Sequence, residues 1–183
     1  MNKNVRKYLV LAHLLFAGFM APAFLLLAVS GGLYLLGNKG ELTTQTLTLP
    51  AGAQLDFSSA SLEDDVREML SSANIEHKFE YVKNRGQLIQ LRPTSRTYIE
   101  IKQTPTGLAA TRNVPNFQKS MMELHKGHGP SLFKTYQKLV ALTLLGVVFG
   151  GLLVGLLSPT YRKKTILASV LGTLVFLFLA LFA

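Results

Sequence analysis

The chain has 183 residues, enough for one small domain and a few helical spans but not for a large catalytic core. It carries no cysteine, which excludes disulfides, thiolate catalysis, iron–sulfur clusters and cysteine zinc sites. Its net charge of +9 invites a nucleic-acid reading, but the placement of that charge removes it, as follows.

Residues 8–38 contain no charged side chain and follow the basic segment 1–7, which holds Lys3, Arg6 and Lys7. The run exceeds the h-region of a signal peptide, so an uncleaved anchor is expected, with Pro22 near its middle. Two more uncharged runs occupy residues 139–159 and 165–183. At 1.5 Å per residue each can cross a hydrocarbon layer about 30 Å thick. The expected spans are 8–38, 139–157 and 166–183. The loop 158–165 between the last two carries Arg162, Lys163 and Lys164 with no acid. Under the positive-inside rule this loop and the segment 1–7 are cytoplasmic, and Ala183 ends on the outer side. Six of the nine excess charges are thus topology signals, and no nucleic-acid partner is expected; the first partner is the lipid bilayer.

Residues 39–114, between the first two spans, read as a small α+β domain with an antiparallel sheet. A Thr-rich strand at 43–49 is stopped by Pro50-Ala51-Gly52. A helix follows, with Ser61 as N-cap and Glu63, Asp64 and Asp65 in its first turn, where they compensate the helix dipole rather than form a catalytic carboxylate pair. Leu62, Val66, Met69, Leu70 and Ala73 share its apolar face. The pattern then changes to period two: Phe79 and Tyr81 alternate with Lys78, Glu80 and Lys83, and further strands are expected at 88–91, 97–102 and 108–112. Turns lie at Asn84-Arg85-Gly86, Pro93-Thr94-Ser95 and Thr104-Pro105-Thr106-Gly107. Residues 115–138 are expected to form an amphipathic helix, with Pro115 in its first turn and Phe117, Met121, Leu124 and His125 on one face, then an interfacial linker in which Lys134 and Lys138 reach lipid headgroups. His77 reads as a solvated surface residue.

The helix–meander order, the Thr106-Gly107 turn, Leu124-His125-Lys126-Gly127 ahead of a span, and a first span with His13 near one end and Ser30-Gly31 near the other resemble the PepSY domain with its associated transmembrane helices. The likeness covers residues 8–160 and is to the compact three-span members. PepSY modules occur in protease propeptides, where an inhibitory or chaperone-like role is proposed, and as extracytoplasmic parts of membrane proteins. The resemblance implies a bacterial inner-membrane protein presenting a periplasmic module that binds or modulates a partner, as an accessory to an iron or redox system. That partner would be another membrane or periplasmic protein, or a second copy in a homo-oligomer.

Larger relatives are haem-carrying reductases that pass electrons outward to ferric siderophores. The resemblance therefore implies an alternative, a minimal haem b electron carrier with His13 and His125 as candidate ligands. A bis-histidine haem needs two imidazoles at one depth, and the second and third spans contain none. His125 and His128, at i,i+3 spacing with Glu123 nearby, form a candidate metal pair. There is no Gly-x-Ser-x-Gly, His-Glu-x-x-His or phosphate loop, so hydrolysis finds no support. In the second span Gly146 and Gly150, and Gly151 and Gly155, give two small-xxx-small steps that suit close helix packing, within the chain or between chains.

Overall fold

The computed structural model describes residues 3–182; Met1 and Asn2 of the N-terminal segment and Ala183 of the third expected span lie outside the described residues. The elements run α1 (Lys3–Leu35), β1 (Leu42–Leu47), α2 (Leu62–Ser72), β2 (Tyr81–Asn84), β3 (Leu88–Arg92), β4 (Tyr98–Thr104), β5 (Gly107–Pro115), α3 (Phe117–His125), α4 (Ser131–Leu157) and α5 (Arg162–Phe182). Two compact units result. One holds α1 through Ala23 and the chain from Lys138 onward; the other runs from Phe24 to Gln137.

The helical unit is built from apolar helices that leave most of their surface uncovered. α5 has no buried residue, and its apolar side chains face outward all round. A helix of that kind is solvated by lipid, not by water. Lys7–Leu35, Ser131–Leu157 and Arg162–Phe182 are long and apolar enough to cross a membrane, which makes this a membrane protein with three candidate spans. The starts of α4 and α5 differ from the sequence reading. Residues 131–138 are the start of α4, not a linker. Arg162, Lys163 and Lys164 form the first turn of α5. Arg162 Nε also donates to the Leu156 carbonyl at 2.9 Å, closing the end of α4.

The second unit is a five-stranded antiparallel sheet in the order β1-β5-β4-β3-β2. Period-two alternation puts Ile89 and Leu91 of β3, Ile99 and Ile101 of β4 and Ala110 of β5 on one face, all completely buried. α2 lays Leu62, Val66, Met69 and Leu70 on that face, and Leu55, Phe57 and Phe79 complete the core. Burying each large aliphatic side chain stabilises by roughly 1.5–3 kcal/mol, which fixes the register, since a slip of one residue would expose all of them. α2 ends with Asn74 at φ +53°, Asn74 N donating to Ser71 O and Ile75 N to Leu70 O, which turns Ile75 back onto the core.

The two edges of the sheet differ. At β2, the Val82 N–H donates to Glu63 Oε1 of α2 at 3.0 Å, so that edge is capped. Glu63 thus has a specific partner beyond the helix dipole. At β1, five of six residues are exposed. Asn116 N donates to Glu41 O at 3.1 Å, so Glu41 faces β5, and antiparallel alternation turns the N–H and C=O of Leu42, Thr44 and Thr46 outward.

β5 runs to Pro115, opposite Leu42. The first turn of a helix, expected for Pro115, gives way to a strand site whose position needs no N–H. Asn116 is the N-cap of α3, its Oδ1 accepting from Lys119 N at 2.8 Å. The buried residues of α3 are Met122 and Glu123, whereas Phe117, expected on the apolar face, is exposed. α1 stops at Leu35, three residues before the expected end of the span. Gly37, at φ +79°, closes it through Gly37 N to Tyr34 O and Asn38 N to Leu33 O. His77 is half-buried, not solvated. Burial, with the charges of Arg112 and Arg96, holds its pKa below the ordinary histidine value.

Candidate functional site

The polar constellation of the sheet unit is assembled by the end of α3. Gly127 takes φ +74°, and the reversal it permits returns His128 N to Glu123 O (2.9 Å) and Gly127 N to Leu124 O (3.0 Å). The reversal also swings the His128 ring back, so that Nδ1 lies 2.7 Å from Glu123 Oε2. A carboxylate only accepts, so Nδ1 carries the proton of this bond.

Glu123 reaches over the face of the sheet opposite the core. Its Oε2 accepts from Thr94 Oγ1 (2.7 Å), which in turn accepts from Arg92 Nη1 (2.8 Å). Arg92 Nη2 donates to Gln90 Oε1 (2.8 Å), and Gln90 Nε2 to Glu100 Oε1 (2.6 Å) on the neighbouring strand. Lys119 and Lys126 lie 3.8 and 3.9 Å from Glu123 Oε1. Arg92, Thr94, Asn113 and Glu123 are all buried, and Thr94 N donates to His128 O, tying strand and helix end together. Burial alone would raise the Glu123 carboxyl. The hydrogen bonds from His128 and Thr94, with the charges of His128 and Lys119, outweigh it and hold the group below the ordinary glutamate range. Tyr98, buried on the same face with Glu100 and Glu123 nearby, is pushed up to about 12.

His125 faces another partner. Its Nδ1 is 2.7 Å from Ser30 Oγ of α1, and Ser30 is buried. The Ser30 hydroxyl donates to Leu26 O at 2.5 Å, so its oxygen is left to accept and His125 Nδ1 is the donor. A Cβ on Gly31 would stand 3.6 Å from His125 Cε1, an ordinary contact. The structure therefore brings Ser30-Gly31 and His125 together across 95 residues of sequence. The Nδ1 atoms of His125 and His128 are bonded to different partners, Ser30 and Glu123. Among the described residues no group of three or more His, Asp or Glu side chains is arranged to hold a metal ion.

In the helical unit His13 lies against the glycine step of α4. A Cβ on Gly151 would be 3.3 Å from His13 Cε1, and one on Gly150 would be 3.9 Å from Nδ1. His13 Nδ1 is buried with no hydrogen-bond partner among the described residues. Gly155 faces Thr165 of α5, whose Cγ2 would stand 2.9 Å from an added Cβ, while Gly146 faces open space. For a bis-histidine haem, His13 supplies a single imidazole to its unit, and in the other unit the rings of His125 and His128 are bonded to different partners.

Sequence reasoning missed Arg92 and Thr94. Both sit where alternation and a Pro-Thr-Ser turn read as solvated, and the only available signal was a lone acid, Glu123, in a helix with no other. Lys134, expected at lipid headgroups, instead lies over the Tyr81 ring at 4.0 Å and bonds its hydroxyl. Glu80 anchors the start of α4 by accepting from Ser131 N at 2.7 Å. Compared with known proteins, the chain matches no family model, no curated protein and no solved structure.

Proposed function

We propose that this is an inner-membrane protein that presents a PepSY-like α+β module to the periplasm, where the module binds a partner protein by accepting an extended segment along the free edge of β1. The observation that carries the reading is the difference between the two sheet edges. β2 is capped by Glu63, while β1 turns the N–H and C=O groups of Leu42, Thr44 and Thr46 to solvent. An open edge of this kind is a template for strand addition, with affinity from main-chain hydrogen bonds. Supporting the orientation, Arg162, Lys163 and Lys164 stand in the first turn of α5, where the helix dipole disfavours cations. Retention at the cytoplasmic headgroups offsets that cost.

Two experiments test the proposal. The chain has no cysteine, so single Lys83→Cys and Lys163→Cys variants are clean topology probes. In intact spheroplasts a membrane-impermeant maleimide should label Lys83→Cys, and it should label Lys163→Cys only after permeabilisation; the reverse pattern removes the periplasmic assignment. For the edge, a photo-crosslinking residue at Gln45 should trap one discrete partner in cells. Thr46→Pro deletes an outward N–H without touching the β5 ladder, and should lower that adduct at least about tenfold at unchanged melting temperature. An adduct indifferent to Thr46→Pro, or a smear of random neighbours, would count against edge docking.

A further inference from the structure

Between the end of α1 and α3, within the sheet unit, lies a cleft of about 390 Å³ lined by Gly31, Tyr34, Leu35, Met122, His125 and Lys126. We infer that this cleft binds an anionic glycerophospholipid, with the phosphate at Lys126 and Lys39 and an acyl chain against Leu35 and Met122.

Three observations converge on that occupant. The first is depth. Leu35 is the last residue of the first candidate span, and Tyr34 and Lys39 flank it as residues of a membrane–water interface do. Phe117 and Leu132, at the starts of α3 and α4, are 79% and 87% exposed, which suits apolar side chains that rest in lipid. The second is charge. Lys39 Nζ and Lys126 Nζ stand 5.2 and 6.0 Å from the centre of the Tyr34 ring, so two ammonium groups share the rim. The carboxylate nearest Lys126, Glu123, is already shared with Lys119, His128 and Thr94, which leaves the rim with surplus positive charge. The third is preorganisation. The His125 ring is fixed by its Nδ1 bond to buried Ser30, so the wall it gives the cleft is held in place before a ligand arrives instead of being ordered by it. A zwitterionic headgroup would bring a quaternary amine against these cations, and a fully apolar ligand would leave them unanswered. The inference needs only that α1 ends in a headgroup layer, so it stands or falls separately from the proposed sidedness and from docking at β1.

The chain contains no tryptophan, so a single Leu35→Trp variant of the full-length protein, reconstituted in nanodiscs, reports on the cleft alone. At equal mole fraction, brominated phosphatidylglycerol should quench the indole at least about fivefold more efficiently than brominated phosphatidylcholine, as expected for one or two interfacial lysines. Adding Lys39→Gln and Lys126→Gln should abolish the preference, and Lys83→Gln should leave it intact. Equal quenching by the two lipids overturns the proposal. So does a preference that survives loss of both lysines, which would be general attraction to a basic surface. Soluble glycerol phosphate is the last arm: relief of quenching at millimolar concentration would assign the cleft to a free phosphate ester, and no relief supports the lipid.

Discussion

Replacing Glu123 with alanine should lower the melting temperature of the sheet unit by roughly 15 °C, the equivalent of about 3 kcal/mol for a domain of this size. Glu123 is 8% exposed and its carboxylate is the meeting point of Thr94, His128, Lys119 and Lys126, with Arg92, 2% exposed, one hydrogen bond behind Thr94. Removing it leaves four cationic or cationisable groups facing one another across a small cavity. Breaking a buried pair from one side costs about 3–5 kcal/mol, and the partial exposure of both lysines brings this case to the lower end. Glu123→Gln keeps the shape and an acceptor for Thr94, and should lose about half as much. Circular dichroism melts of the full protein in detergent would decide. An alanine variant within about 2 °C of the parent would mean that the network carries no net stability, an outcome known for some buried ion networks.

The same carboxylate predicts an acid limit. Its folded pKa lies below the ordinary value near 4.5, so the proton binds the unfolded chain more tightly. The contribution is therefore complete above the ordinary glutamate range and is lost as the pH falls through the folded value. Glu123→Gln should flatten that part of the profile.

Gly40→Ala is expected to be comparably severe, for a different reason. Gly40 has φ +73°, and an added Cβ would meet Lys119 N, Lys119 Cα at 2.7 Å and Asn116 Oδ1 at 2.9 Å. These are the backbone of the first turn of α3 and its capping oxygen, which cannot swing aside as a flexible side chain would. Left-handed strain of about 1–2 kcal/mol adds to the loss of a cap worth about 1 kcal/mol and to a backbone displacement. The total is about 3–4 kcal/mol. Gly37 is the internal control. Its φ is +79°, but a Cβ there meets nothing within 4 Å, so Gly37→Ala should cost only the conformational part. Equal melting temperatures for the two variants would show that the contact between Gly40 and α3 is not what makes glycine necessary.

Some of this architecture was legible in the residue pattern. Charge-free runs of 19 to 31 residues mark the three long helices, and alternation marks β3 and β4, since Ile89, Leu91, Ile99 and Ile101 can face only one core. Ser30-Gly31 and His125 could be singled out, but nothing in the spacing says that they touch. The Arg92–Thr94–Glu123 chain was illegible for a specific physical reason. Alternation assigns a polar sheet face to solvent, and only the return of α3 along β5 converts that face into an interior. Pro115 was misassigned because a proline fits two sites that lack an N–H partner, a helix start and a non-hydrogen-bonded strand position. Local sequence does not choose between them.

The strand order carries a consequence for biogenesis. β1 is made first, yet its neighbour β5 is the last strand of the sheet, so it waits for 68 further residues before Leu47 can be followed by Pro115. At about 5–20 residues per second that delay is roughly 3–14 s. Throughout it the nascent strand hangs from a membrane anchor with both edges bare. Thr43, Thr44, Gln45 and Thr46 make that wait survivable: a run of hydroxyls and an amide stays hydrated, whereas an apolar strand tethered beside a crowded membrane would seed cross-β contacts with its neighbours.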